Sequence, residues 1–213
     1  KEIFSYLSIP QVNYLAFQNH NLSDNSVKND LFHKITSKLN LPVFVKPANS
    51  GSSIGISKAN NKSEIIEAIE KALEIDSRIV IEEGLDVREL ECGIIGNLKL
   101  FTSEIGEVSY STDWYDYDSK YSMDNKIIIP ADIDSQISEQ IKEISIRSCR
   151  ALNIYGFARV DFFLEKFSNK ILINEINTIP GFTKKSMFPM LWKASGLNIE
   201  QLVAKLVEIS QDS

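Results

Sequence analysis

The chain has 213 residues, 43% of them apolar and 24% charged, with 23 basic against 29 acidic side chains and a net charge of −6. Those proportions are ordinary for a globular chain and exclude collagen-like, low-complexity and disordered readings. No apolar run approaches the ~18–20 residues a membrane-spanning helix needs. No signal-peptide pattern opens the chain, and an acidic balance without a basic block argues against a nucleic-acid footprint. The expectation is a cytoplasmic protein with neither membrane nor nucleic acid as partner. Cys92 and Cys149 lie far apart and form no CxxC, which suggests neither a zinc site nor a disulfide framework.

The chain opens on Lys1 in what reads as the end of a helix, so a piece of a longer protein is expected. Residues 43–46 read as a short buried strand stopped by Pro47. The small-residue stretch Asn49-Ser50-Gly51-Ser52-Ser53-Ile54-Gly55 follows. Ser63 is placed to cap a helix whose apolar stripe is Ile65, Ile66, Ile69 and Leu73. Residues 79–81 are strand-like, and two β-rich runs between 89 and 105 are separated by Gly96-Asn97, a hairpin signal. The polar, tyrosine-rich span between Gly106 and Pro130 lacks clear periodicity and predicts a long loop, a common place for function. Asp134 is placed to cap a helix with Ile137, Ile141, Ile144, Ser148 and Leu152 along one face. Two strands over 158–165 and 170–177 come next, then an amphipathic helix carrying Ile199, Leu202, Val203, Leu206 and Val207. This mixture, without a βαβ rhythm or a repeat, predicts an α+β fold rather than a doubly wound sheet.

The chemistry concentrates in the two late strands. Side chains alternate along a strand, so Arg159, Asp161 and Phe163 should share one face of the first, and Ile173, Glu175 and Asn177 one face of the second. An antiparallel hairpin turning near Ser168 would set Asp161 opposite Glu175 and Arg159 opposite Asn177. Facing carboxylates repel unless a divalent cation lies between them. Hard oxygen ligands with an amide oxygen nearby suit Mg2+ or Mn2+. The plainer alternative is a solvated polar face on which Arg159 neutralises one acid. The Pro180-Gly181 turn that follows can present bare backbone N–H groups, as an oxyanion hole does, or be an ordinary turn.

Upstream, Lys46 at a strand end precedes the glycine/serine loop. That combination suits a polyphosphate, although it is no Walker A sequence and alone is equally a surface loop. Acids beside apolar residues at Glu82, Glu83 and Leu85, then at Arg88-Glu89-Leu90-Glu91, fit purine and ribose recognition, or a solvated edge. His20 and His33 have no partner acids at metal spacing, no serine sits in a nucleophile elbow, and no cysteine has a nearby histidine, so covalent catalysis is unsupported. A phosphate cradle with a carboxylate cation site points to nucleotide-dependent chemistry.

Taken in order, these segments resemble the ATP-grasp part of the D-alanine–D-alanine ligases. The matching elements are Val45-Lys46-Pro47 with Gly51-Ser52-Ser53, Glu82-Glu83-Gly84 with Arg88-Glu89, and Tyr115-Asp116-Tyr117 with Lys120-Tyr121. They continue through Gly156-Phe157-Ala158-Arg159-Val160-Asp161 and end with Asn174-Glu175-Ile176-Asn177-Thr178-Ile179-Pro180-Gly181-Phe182-Thr183.

The resemblance implies an α+β ATP-grasp fold of two subdomains with the nucleotide between them: residues 1–82 with the phosphate loop, and 83–213 with the metal and acceptor sites. It implies ATP-dependent joining of two D-alanines through an acyl phosphate, for peptidoglycan synthesis. On that resemblance Lys46 binds ATP phosphates and the Ser52-Ser53 loop closes over them. Glu82, Glu83, the backbone near Leu85, and Glu89 hold adenine and ribose. Asp161, Glu175 and Asn177 hold two Mg2+ (or Mn2+) ions. Arg159 and the Gly181 amide stabilise the oxyanion, while Ser186 and Met187 line the second D-alanine site. Lys120 and Tyr121 ride a closing loop, with Lys120 near the transferring phosphoryl group and Tyr121 favouring an amine over a D-lactate nucleophile.

D-serine stays open as second substrate, because a pocket for a methyl group rejects an added hydroxyl only weakly. Another ATP-grasp carboxylate–amine ligase, of the biotin carboxylase or glutathione synthetase kind, and a non-catalytic nucleotide-binding module also stay open. The family carries a separate amino-terminal domain with an acid that orients the first D-alanine. The expectations that follow are a homodimer at full length and a poorly active isolated piece.

Overall fold

The structure, a computed structural model, describes residues 1–18, 24–49, 54–109 and 126–211. These fall into two compact units, one of residues 12–85 and one of residues 1–11, 86–109 and those from 126 onward.

The smaller unit is a four-stranded antiparallel sheet in the order β1 (Tyr14–Gln18), β4 (Arg78–Glu83), β2 (Val43–Pro47), β3 (Ser57–Ala59), backed by helices α2 (Asn25–Thr36) and α3 (Lys62–Ile75). Alternation sends Val43, Val45, Ile79 and Ile81 into a core with Ile35, Ile65 and Ile69 of the helices. Phe44, Lys46, Val80 and Glu82 occupy the intervening positions and share the other face. Pro47 ends β2 where β3 has already stopped pairing, so its missing N–H breaks no bond to that strand. Helix α3 is capped by Asn61, not by Ser63. The Asn61 side chain accepts the Glu64 N–H at 3.1 Å, and Glu64 reaches back to the Asn60 N–H at 2.7 Å. This reciprocal pair satisfies two donors where a lone serine satisfies one.

The larger unit is a five-stranded antiparallel sheet in the order β7 (Lys126–Ile128), β6 (Leu100–Ser109), β5 (Val87–Gly96), β8 (Gly156–Glu165), β9 (Ile171–Asn177). Two antiparallel sheets are the α+β arrangement expected. One face packs against α1 (Glu2–Tyr6) and α4 (Ser135–Ala151), and Phe4, Ile141 and Cys149 meet Leu90, Val160 and Phe162 there. Asp134 caps α4 as the sequence predicts, accepting the Gln136 N–H at 2.7 Å. Residues 1–11 belong to this unit: Phe4 and Ile9 lie in its core, and Gln11 bridges Ile173.

On the opposite face α5 (Met187–Ala194) and α6 (Ile199–Gln211) cover one end of the sheet, where Phe188, Trp192, Leu202 and Ile209 pack on Ile95. Glycines make room for α5. A Cβ on Gly93 would lie 2.8 Å from Trp192 Nε1, and one on Gly106 2.7 Å from a Leu191 methyl. Elsewhere on that face stand Glu91, Arg159, Asp161, Glu175 and Asn177.

Two further expectations change. Both ends of the span predicted as a loop are strand, because β6 runs on to Ser109 and Lys126–Ile128 pairs beside it as β7, and residues 110–125 lie outside the described residues. Val203 and Val207 are 45% and 52% exposed, because α6 turns only Leu202 and Ile209 fully inward. Strands β1 and β3 and helices α2 and α5 have no separate local signal in the sequence.

Candidate active site

Strands β8 and β9 turn through Glu165, whose N–H bonds the Lys170 carbonyl at 3.0 Å. Near the turn Leu164 pairs with Ile171 and Phe162 with Ile173; past a bulge, Asp161 pairs with Glu175 and Arg159 with Asn177. Asn174 is the extra residue of that bulge. Its insertion corrects one expectation and preserves another. Ile173 does not share a face with Glu175 and Asn177; it is fully buried in the core beside Phe162. The expected cross-strand pairs nonetheless form, because the bulge moves Glu175 into the place opposite Asp161 that unbroken pairing would give to Asn174.

The polar cluster is tightly knit. Arg159 forks onto Asp161, with Nε 2.7 Å from Oδ1 and Nη2 2.8 Å from Oδ2. Asn177 Nδ2 donates to the same Oδ2 at 2.9 Å and reaches Glu175 Oε1 at 3.4 Å. From the neighbouring strand Glu91, paired with Asp161, sets its Oε2 2.9 Å from Arg159 Nε. Burial pulls the Arg159 pKa down, but the hydrogen bonds to Asp161 and the charges of Asp161, Glu91 and Glu175 more than offset it, and the net shift is upward. The guanidinium is permanently charged. Three carboxylates around one cation leave excess negative charge, which favours a further cation.

No three His, Cys, Asp or Glu side chains among the described residues are grouped to hold a metal by themselves. The set here is two carboxylates and an amide, which suits a hard divalent ion such as Mg2+ that keeps part of its water. The sequence groups Glu91 with Glu89, for nucleotide recognition or a solvated edge, and not with Arg159. Its signal was alternation with Glu89, but nothing local says that β5 lies beside β8.

In the smaller unit Lys46 pairs with Glu82, which is only 3% exposed. Glu83 accepts the side-chain amides of Asn13 at 2.8 Å and of Asn40, tying the end of β4 to its surroundings. Leu85 and, in the larger unit, Glu89 are half-buried. Gly181 is exposed, and a Cβ on it would sit 2.9 Å from Ser186 Oγ, so the bare glycine lets its turn close on that hydroxyl. Ser186 Oγ also accepts the Thr183 N–H at 3.1 Å. Met187 is buried at the start of α5. Ser52, Ser53, Lys120 and Tyr121 lie outside the described residues.

Two antiparallel sheets with helices packed on them, and an acid–arginine–amide cluster on one sheet face, define an α+β protein of the ATP-grasp class. Residues 3–208 match the family described as D-ala D-ala ligase C-terminus, and the chain belongs to that family. It is 82% identical over 213 residues to a D-alanine–D-alanine ligase of Prochlorococcus marinus (strain MIT 9515), covering 100% of this chain and 60% of the relative. Among solved structures, a D-Ala:D-Ser ligase from Enterococcus faecalis is similar with a TM-score of 0.85 and 33% identity, over 98% of this chain and 59% of that one. A D-alanine–D-alanine ligase from Coxiella burnetii is similar at 0.79 and 30%, over 99% and 55%. The chain thus spans about 60% of the length of the curated relative named first.

Proposed function

We propose that this chain supplies the nucleotide- and cation-binding part of an ADP-forming ligase that joins two D-alanines through an acyl phosphate. The observation that carries the reading is the Arg159–Asp161–Glu175–Asn177 cluster, gathered on one face of the larger sheet where the bulge sets Glu175 opposite Asp161, in a chain whose relatives are named for that ligation. Lys46, on the face of the small sheet turned away from its core, would hold phosphate oxygens as a point charge. Glu82, Glu83, Glu89 and the backbone at Leu85 would hold adenine and ribose.

Asp161, Glu175 and Asn177 would hold Mg2+ or Mn2+, which supplies neutralisation of phosphate charge when bound. The first D-alanine carboxylate takes the terminal phosphoryl group of ATP and releases ADP. The second D-alanine's amine attacks the acyl carbon, loses a proton, and phosphate departs. Arg159 and the Gly181 N–H would face the oxyanion of the tetrahedral intermediate, where fixed donors act most strongly. Ser186 and Met187 would seat the second D-alanine. Ser52, Ser53, Lys120 and Tyr121 would close over the phosphates and exclude water. On the family resemblance the full-length protein would be a cytoplasmic homodimer acting in peptidoglycan synthesis.

The D-Ala:D-Ser ligase among the similar structures makes D-serine the second reading for the acceptor. Phosphate release from ATP by the full-length protein tests the proposal. Stimulation by D-alanine is expected, with D-alanyl-D-alanine as product by mass spectrometry. Release stimulated by glutamate, bicarbonate or L-alanine but not by D-alanine would reject it, and a mixed D-alanyl-D-serine product would favour the second reading.

A further inference from the structure

Three acids crowd one guanidinium on the polar face of the larger sheet. Register sets Glu91, Asp161 and Glu175 in a single row across β5, β8 and β9, and Arg159 stands in the next row opposite Gly93, which has no side chain to displace it. Both oxygens of Asp161 are engaged by Arg159, and one of them also by Asn177. A cation held by Asp161 would draw on those same lone pairs and repel the guanidinium, far more strongly in a half-buried site than in water. Something else must then hold Arg159.

Glu91 has the geometry to do so. Its Oε2 is closed to solvent, its side chain is 13% exposed, and that oxygen lies 2.9 Å from Arg159 Nε. It stands on the far side of Asp161 from Glu175, outside the facing pair of the hairpin. We propose that Glu91 is a positioning residue that keeps Arg159 on the sheet face when Asp161 turns its charge to a divalent cation. The inference rests on the reading of Asp161 and Glu175 as the cation site.

Mn2+ affinity of the 213-residue chain, read from the electron paramagnetic resonance of free Mn2+, tests it, with the melting of each variant as the control for folding. Glu91→Gln keeps the shape and removes the charge. Arg159 is then left with Asp161 as its chief anchor and competes with the ion, so affinity should fall about tenfold. In an Arg159→Gln background the same substitution should change affinity by less than about twofold. Glu91→Asp, which keeps the charge on a shorter arm, should recover part of the loss. Equal losses in the two backgrounds would mean that Glu91 acts only as a nearby negative charge, and would overturn the proposal. Absence of Mn2+ binding by the unsubstituted chain, or binding indifferent to Glu175→Gln, would overturn the cation-site reading and this inference with it.

Discussion

Glu175 faces Asp161 because Asn174 steps out of the ladder, so one residue decides which side chains meet. If the pair holds a cation, charge matters there more than shape. On the proposed function, Glu175→Gln should lower Mg2+-dependent turnover of the full-length protein by about 100-fold or more while leaving its melting within a few degrees. Near-normal activity would remove Glu175 from the site. The two cysteines make a separate case. Both are fully buried, and burial pushes the Cys92 thiol up to about 11 and the Cys149 thiol up to about 12. The unfolded chain ionises its thiols near ~8.5. Above that value it binds fewer protons than the native state, so stability should fall as the medium is made more alkaline. Melting followed from neutral pH to about pH 11 should show that slope, and Cys92→Ala with Cys149→Ala should flatten it.

Elements were legible where their signals are local. Helix α4 could be read from Asp134 and a stripe of isoleucines, and the β5–β6 hairpin from Gly96-Asn97, because the partners lie within a few residues. Helix α5 announces itself poorly: it has eight residues, Pro189 in its first turn, and apolar side chains that reveal no single face. Its position depends instead on glycines of β5 and β6. Gly106→Ala would drive a methyl to within 2.7 Å of Leu191 and 3.0 Å of the Met187 sulfur. The expected cost is about 1–3 kcal/mol in urea unfolding. A variant as stable as the parent would show that α5 can lift away freely.

Each unit of the molecule has its own core, and losses should register where they are made. Phe162 is 1% exposed in the core of the larger unit, and Ile69 is fully buried in that of the smaller. Phe162→Ala should cost about 3–5 kcal/mol, with hydrogen exchange accelerating first in β5, β8 and β9. Faster exchange confined to β2 and β4 would contradict that assignment of cores. At this scale the site residues divide as well: Lys46 and Glu82 belong to one unit, and the Arg159 cluster to the other.

Residue order was enough to establish the α+β mixture, the Asp134 cap and the hairpins, since each follows from alternation or from hydrogen bonds within a short span, whereas the facing of Asp161 with Glu175 needed the bulge at Asn174. It was equally enough to place the segments in their family. Folding in three dimensions was needed to bring Glu91 to Arg159, to bury Ile173, and to seat α5 on Gly93 and Gly106. Those outcomes come from strands and helices distant in the chain competing to cover apolar surface. Such a competition is settled by shape and burial across the whole sheet, and it leaves no mark on any short stretch of residues.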